Sequence, residues 1–271
     1  MTEEISYQPD LYRGVARDYD RFRMGYPQEM LDDLVARAGL TGRGRLLDLA
    51  CGTGQITFAM QDRFGEVWAV DQEPDMVGLV RRKAATAGMS HVHPVVSAAE
   101  VFAGPAASFE LVAIGNAFHR LQRQTVAASA FRWLEPGRCV ALLWSNGPWS
   151  GPAEWQNAMA ATLERWRTRT GAQERVPAGW ERVRREHPDA TILENGGFEL
   201  VGSYYFPRGH VWTADALIGF VYATSALPRS HLGDLAETFE RDFRAELGAA
   251  DPAHLFHETI DFAYELARRP G

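Results

Sequence analysis

The sequence predicts an open α/β fold, a mostly parallel sheet of seven strands with helices on both faces and a partly helical insertion. Three observations carry this. Apolar runs too short for globular helices alternate with helical patterns through residues 41–145. The first run, Arg45-Leu46-Leu47-Asp48-Leu49, ends in the small residues Ala50-Cys51-Gly52-Thr53-Gly54 before a helical pattern resumes at Ile56, which reads as strand, tight turn and helix. The last segment alternates at Ile260, Phe262, Tyr264 and Leu266, the period of a strand.

Taken in order, Pro27 opens a helix whose apolar face is Met30, Leu31, Leu34, Val35 and Ala38 and which stops at Gly39. The first strand and a helix over 55–63 follow, then a second strand over 67–70 ending at Asp71. Pro74 starts a helix that stops at Gly88, and a third strand covers 91–96. The run 109–115 is apolar on both faces, so it is placed centrally. A helix over 124–134 is broken by Glu135-Pro136-Gly137 ahead of a fifth strand at 139–144. Between 146 and 189 the rhythm stops. Trp155, Met159, Leu163 and Trp166 share one helix face there, either core or pocket wall, and the whole stretch is expected to cap a site. A short helix over 190–195, a sixth strand over 198–206, a helix capped by Thr213 and an amphipathic helix over 232–247 precede the final strand.

Composition narrows the function. Net charge is −7 and the basic runs are no longer than Arg81-Arg82-Lys83, so a phosphate-backbone footprint is missing and nucleic acid is not expected as a partner. No apolar stretch spans a bilayer and the first residues are acidic, so no membrane association and a cytoplasmic location are expected. Two cysteines, Cys51 and Cys139, make neither a disulfide framework nor a metal cluster. His91 and His93 share a strand face without a third ligand, so no metal is expected. The oligomeric state is left open.

The candidate site is the glycine turn. Gly52 and Gly54 lack Cβ and allow positive φ and close approach of a ligand to the main chain, while the following helix presents unpaired N–H groups. Asp48 can accept from a cationic ammonium. Asp71 ends the next strand about 17 residues past Gly54, where a βαβ unit places its ribose-binding carboxylate. Asn116 and His119 follow the fourth strand, at the carboxyl end where open sheets bind ligands.

The stretch from Leu46 to Gly54, apolar-apolar-Asp-x-x-Cys-Gly-x-Gly, resembles the glycine-rich motif of class I S-adenosylmethionine-dependent methyltransferases, whose fold is Rossmann-like. The segment Tyr19-Asp20-Arg21-Phe22-Arg23 and the later Ala117-Phe118-His119 are similar to family patterns. The helix Trp212-Thr213-Ala214-Asp215-Ala216-Leu217-Ile218-Gly219-Phe220 is similar to that of the trans-aconitate methyltransferase-like type. The resemblance implies S-adenosyl-L-methionine as cofactor, a small-molecule acceptor, and a last strand inserted antiparallel beside the sixth. It also implies a cofactor site of Tyr19, Arg23, Asp48, Ala50, Cys51, Gly52, Gly54, Asp71, Gln72, Met76, Ala98, Ala99, Glu100, Asn116 and His119. Arg23 either meets the methionine carboxylate or tethers the arm. Ala98 stands where relatives carry an adenine-binding Asp, and Arg120 where they carry Trp. His119 either serves the substrate or orients its loop, and the proton acceptor is left among His119, His210 and Tyr222, with Tyr222 and Ser225 as pocket candidates. The expected divisions are an arm over residues 1–40, a cofactor core over 41–145, a lid over 146–189 and a substrate-pocket region over 190–271. A cofactor-dependent step other than methylation, such as cyclisation, and a non-catalytic binding protein remain as alternatives.

Overall fold

The computed structural model describes residues 7, 10–175, 177 and 180–271. Its strands are β1 (Arg45–Leu49), β2 (Glu66–Asp71), β3 (Val92–Val96), β4 (Phe109–Gly115), β5 (Leu134–Ser145), β6 (Glu199–Trp212) and β7 (Phe256–Arg268). Around them run α1 (Ala16–Phe22), α2 (Gln28–Ala38), α3 (Gln55–Met60), α4 (Pro74–Thr86), α5 (Arg123–Trp133) and α6 (Glu154–Thr170). The remaining helices are α7 (Trp180–Glu186), α8 (Asp189–Asn195), α9 (Ala214–Tyr222), α10 (Arg229–Leu232) and α11 (Ala236–Ala250). One sheet takes all seven strands in the order β3-β2-β1-β4-β5-β7-β6. β1 to β5 are parallel, and β7 lies antiparallel between β5 and β6, as expected.

The apolar runs are continuous because both faces are covered. In β4, Leu111 and Ala113 face the core under α2 and α3, while Val112 and Ile114 face the one under α5 and α8. That is the burial expected of a central parallel strand.

Several boundaries differ from the sequence pattern, each for a long-range reason. β5 begins at Leu134 rather than 139, because Gly137, at φ +79°, stays in line and its N–H donates to Arg269 O at 2.9 Å. The helix expected over 55–63 ends at Met60 and tightens into a 3₁₀ turn at Gln61–Arg63. The amphipathic helix expected from 232 starts at Ala236, since Gly233 at φ +52° breaks it after α10. β6 continues past Phe206 to Trp212, drawn out by pairing with β7. Pro207 is tolerated inside it because β6 is the edge strand, where a missing N–H breaks no inner ladder.

The β6–β7 ribbon organises the roof. β5 stops pairing at Ser145 with Phe262, whereas β6 and β7 stay paired to Trp212 with Phe256, so the ribbon projects beyond the carboxyl edge of the sheet. α6 and α9 pack on it: Trp155 meets Phe256 at 5.5 Å and Trp212 meets Phe220 at 5.5 Å between ring centroids. Glu258 ties the layer together, accepting from Trp212 Nε1 at 2.6 Å and Gln156 Nε2 at 3.3 Å. The aromatic stripe of α6 is core: Trp166 lies edge-on to Phe239 of α11 at 5.6 Å and donates Nε1–H to Asp242 at 2.7 Å. α1 is hung from this layer, its Phe22 ring lying on the bare Cα of Gly219 in α9.

Because Trp166 is 1% exposed and joins α6 to α11, Trp166→Ala is expected to lower unfolding free energy by about 3–5 kcal/mol. Urea unfolding followed by far-ultraviolet circular dichroism measures it, and a loss below about 1 kcal/mol would show that α6 is not anchored by this contact.

Candidate functional site

The strand order reverses beside β1: the chain moves outward through β2 and β3, then returns to β4 on the other side. Ligands bind beyond the carboxyl ends of strands at such a switch point. The structure opens a cavity of about 250 Å³ there.

Its floor is the bend after β1. Ala50 (φ +56°), Gly52 (φ +54°) and Gly54 (φ +85°) alternate in the left-handed region, which turns successive peptide groups toward one side. Asp71 holds the bend, its Oδ2 accepting from Gly52 N at 2.8 Å and its Oδ1 from Glu73 N at 2.9 Å. An ionised carboxylate has about four acceptor positions, so Asp71 keeps capacity toward the cavity that it lines. Asp48 lies beneath, 1% exposed, and its Oδ2 accepts from Thr57 N at 2.9 Å and Thr57 Oγ1 at 2.5 Å. This fixes the first turn of α3. Burial, reinforced by the charge of Asp71, pushes the Asp48 carboxyl up to about 7 against the opposing Thr57 hydrogen bonds. Burial likewise raises Asp71, and burial together with Asp71 raises Glu73.

On the far side of β1, Asn116 leaves β4 at φ +52°. It is pinned there: its N–H donates to Leu143 O at 2.8 Å, its Oδ1 accepts from Ser145 N at 3.1 Å, and its Nδ2 donates to Tyr26 Oη at 3.2 Å. Ala50 and Asn116, two of the few non-glycine residues at positive φ, therefore both line the cavity, at the ends of adjacent strands. Backbone strain concentrated in this way is characteristic of functional sites.

α1 covers the cavity. The Tyr19 ring sits above Gly52, where an added Cβ would lie 3.4 Å from it. Lys83, the chain's one lysine, reaches from α4 to Asp20 of α1 and to Thr53 O of the bend, holding the cover down.

The structure brings Tyr19, Ala50, Gly52, Asp71, Gln72 and Met76 together on the β1–β2 side, with Ala99, Glu100 and Asn116 opposite. Cys51, Gly54 and Ala98 do not line the cavity. Cys51 is buried inside the bend, its thiol pushed well up by burial, and Gly54 is needed instead for packing, because a Cβ there would stand 2.7 Å from the Phe58 ring. Arg23 is set back, its guanidinium stacked between Tyr19 at 5.3 Å and Phe220 at 4.8 Å.

The three expected proton acceptors are not assembled at the cavity. His119 stands behind its wall, its Nε2 accepting from Arg120 Nε at 3.1 Å. Burial and the surrounding arginines, Arg120 first, hold it well below the usual imidazole value, so it is neutral. Tyr222 instead donates to Glu240 at 3.0 Å, in the roof. His210 sits on the projecting edge strand, packed on Trp212 at 4.4 Å and paired across to Glu258. Sequence reasoning missed Glu73, Tyr12 and Arg120, which also line the cavity. Tyr12 lies in the arm over residues 1–40, Arg120 stands at the departure from Trp, and Glu73 has no signal beyond following Asp71. Among the described residues no three His, Cys, Asp or Glu side chains gather as a metal site, and no helix is long and apolar enough to cross a membrane.

Comparison with known proteins shows what this stretch is similar to. Residues 46–137 match the family profile described as a methyltransferase domain. Over that stretch the chain is similar to methyltransferase domains. The likeness is moderate: an uncharacterized methyltransferase of Mycobacterium tuberculosis is 30% identical over 47% of this chain and 49% of its own length. A trans-aconitate 2-methyltransferase of a Mycobacterium species is 37% identical over 22% of this chain and 24% of its own. The chain thus spans about half the length, or less, of the curated relatives it matches. Among solved structures, a protein of Anaeromyxobacter dehalogenans assigned as a type II methyltransferase superposes with a TM-score of 0.62 at 21% identity, covering 92% of this chain and 98% of that one. The [4+2]-cyclase SpnF superposes with a TM-score of 0.57 at 15% identity, covering 98% of each. These last two likenesses are of fold alone.

The buried acid beneath the domain's bend makes stability depend on pH. The folded value of Asp48, about 7, lies above its ordinary 3.8, so the folded chain holds a proton that the unfolded chain releases. Stability from this group is therefore greatest below the unfolded value and declines as pH rises to about 7. Asp48→Asn, which keeps an acceptor for Thr57, is expected to gain on the wild type progressively from pH 4 to pH 7 and then level off in urea unfolding. A difference that does not vary with pH would return Asp48 to an ordinary carboxylate.

Proposed function

We propose that this chain transfers a methyl group from S-adenosyl-L-methionine to an oxygen, nitrogen or carbon of a small molecule. The observation that carries the reading is the clamp between Gly52 N–H and Asp71, an open bend of backbone with carboxylate acceptors left over at a topological switch point. The residues fit the cofactor. Asp71 offers its remaining acceptor positions to a pair of ribose hydroxyls, and the bend has no Cβ at Gly52 to obstruct a ligand. Asp48 lies beneath the bend and fixes the first turn of α3 through Thr57. Met76 and Ala99 supply apolar surface, with Gln72, Glu100 and the Ala98–Ala99 backbone near them for an adenine edge, and Tyr19 encloses the site from α1, backed by Arg23.

When bound, the cofactor supplies a methyl group on a sulfonium, already activated toward a nucleophile. The chain's own contribution is positioning and exclusion of water, and holding reactants in near-attack geometry can supply several kcal/mol, up to about 10 in favourable cases. Asn116, pinned at the mouth of β4, and neutral His119 behind the wall serve this by fixing the acceptor side. The arm over residues 1–40, the lid over 146–189 and the helices of 190–271 are proposed to close over the core of 41–145. The sequence relatives carry methyltransferase names, which favours this over a cyclisation on the same fold.

Calorimetry with S-adenosylhomocysteine tests the site. Asp71→Ala removes an acceptor to charged-group hydrogen bonds worth about 1.5–3 kcal/mol, so affinity should fall about tenfold to a hundredfold. Gly52→Val forces a β-branched residue to positive φ beneath Tyr19 and should fall at least as far. Wild-type affinity in both variants, with folding intact by circular dichroism, would refute the assignment.

A further inference from the structure

Among the described residues that line the cavity, Arg120 is the one basic side chain. It closes the 3₁₀ turn Phe118–Arg120 after β4. Its Nη1 donates to Ser225 Oγ at 2.7 Å and its Nε to His119 Nε2 at 3.1 Å. The guanidinium lies 5.3 Å from the Tyr12 ring centroid and 5.6 Å from that of Tyr7. All these partners are neutral, and among the described residues no carboxylate comes within ion-pair distance of Arg120. The nearby cavity acid, Glu100, is turned to Gln122 N at 3.0 Å instead. Other arginines in this wall are answered: Arg123 and Arg184 both meet Asp189, at 2.8 and 3.7 Å.

A half-buried cation held by neutral groups alone is costly unless an anion completes its surroundings. Of the five guanidinium N–H groups two are used, which leaves Nη2 and the second Nη1 proton as a planar fork suited to two oxygens of one anion. Serine and two tyrosine faces hold that fork rigid, so little freedom is lost on binding. The cavity is also divided by charge. Asp71 and Glu73 stand at the β2 end and Arg120 at the β4 end, with β1 between them, about two strand spacings or 10 Å across the sheet.

We propose that Arg120 is the specificity-determining residue for an anionic methyl acceptor, gripping a carboxylate or phosphate of that molecule while Ser225 and the tyrosines of the arm keep the fork in place. This rests on the reading of the cavity as a methyl-transfer site. The acceptor is thus a small organic acid or phosphate ester rather than a neutral or cationic metabolite, and methylation takes place on a molecule held by its charge.

The test uses the full chain as wild type, Arg120→Met and Arg120→Lys, each checked for folding by circular dichroism. Saturated with S-adenosylhomocysteine, each is titrated with succinate, inorganic phosphate and, as the neutral counterpart, succinamide. Succinate or phosphate should bind the wild type, lose about tenfold or more in affinity in Arg120→Met and recover in part in Arg120→Lys, with succinamide not bound. Equal anion binding in wild type and Arg120→Met overturns the assignment, as does binding of succinamide as tightly as succinate, or no anion binding to the loaded wild type. 5′-Methylthioadenosine, which lacks the amino-acid portion, separates the other source of a carboxylate. If Arg120→Met weakens S-adenosylhomocysteine but not methylthioadenosine, the anion is the cofactor's own and the assignment to the acceptor is overturned. A wild type that binds anions through Arg120 but no S-adenosylhomocysteine defeats the cofactor reading and, with it, the acceptor assignment. A wild type that binds S-adenosylhomocysteine but no anion defeats the acceptor assignment alone.

Discussion

One buried carboxylate carries the architecture of the site. Asp71 ends β2 and binds the amide of Gly52 across the end of β1, so the loop of one strand is shaped by the terminus of its neighbour. The left-handed residues of that loop could not be held by local preference alone, because Ala50 pays a steric penalty at φ +56°. Parallel pairing of β1 with β2 sets the distance, the carboxylate sets the orientation, and the cavity is what remains once both are satisfied. Asn116 repeats the device on the opposite flank, where side-chain bonds to β5 hold another disfavoured backbone. Two neighbouring strand ends are thus kept in strained geometry by contacts reaching sideways across the sheet.

The cover over this floor is built from a different part of the chain. The β6–β7 ribbon overshoots the sheet and offers aromatic rings to α6 and α9, and α9 in turn gives α1 a seat through Gly219. Position therefore propagates from the ribbon to α9 to Tyr19, which faces Gly52. Lys83 closes the circuit from below by linking α1 to the bend itself. The arrangement accounts for why a chain with an ordinary nucleotide-type core carries so much helix after residue 145.

Much of this was legible in the sequence wherever chemistry demands a residue type at a fixed spacing. Gly52, Asp48 and Asp71 announce themselves because a ligand-sized bend has few solutions, and the seven strands and their order of appearance follow from hydrophobic period. What escaped was set by partners distant in the chain. The length of β6 depends on β7 more than forty residues later, and the early start of β5 depends on a bond to Arg269. Polar residues near a motif were the least legible of all. His210 and Tyr222 looked as suitable as His119, yet one lies on an edge ribbon and another is bonded to Glu240, because what a side chain meets is decided by packing rather than by neighbours in sequence.

The outer border of β6 has a further meaning. It is fourteen residues long and exposes Leu200, Val201, Tyr205 and Val211, the kind of margin that invites another chain to add a strand and begin stacking. Pro207 removes an amide from the row, and the irregular register beside Gly202, at φ +153°, kinks it nearer its start. The row of free amides along this margin is thereby interrupted, one of the ways in which an exposed edge strand is blunted.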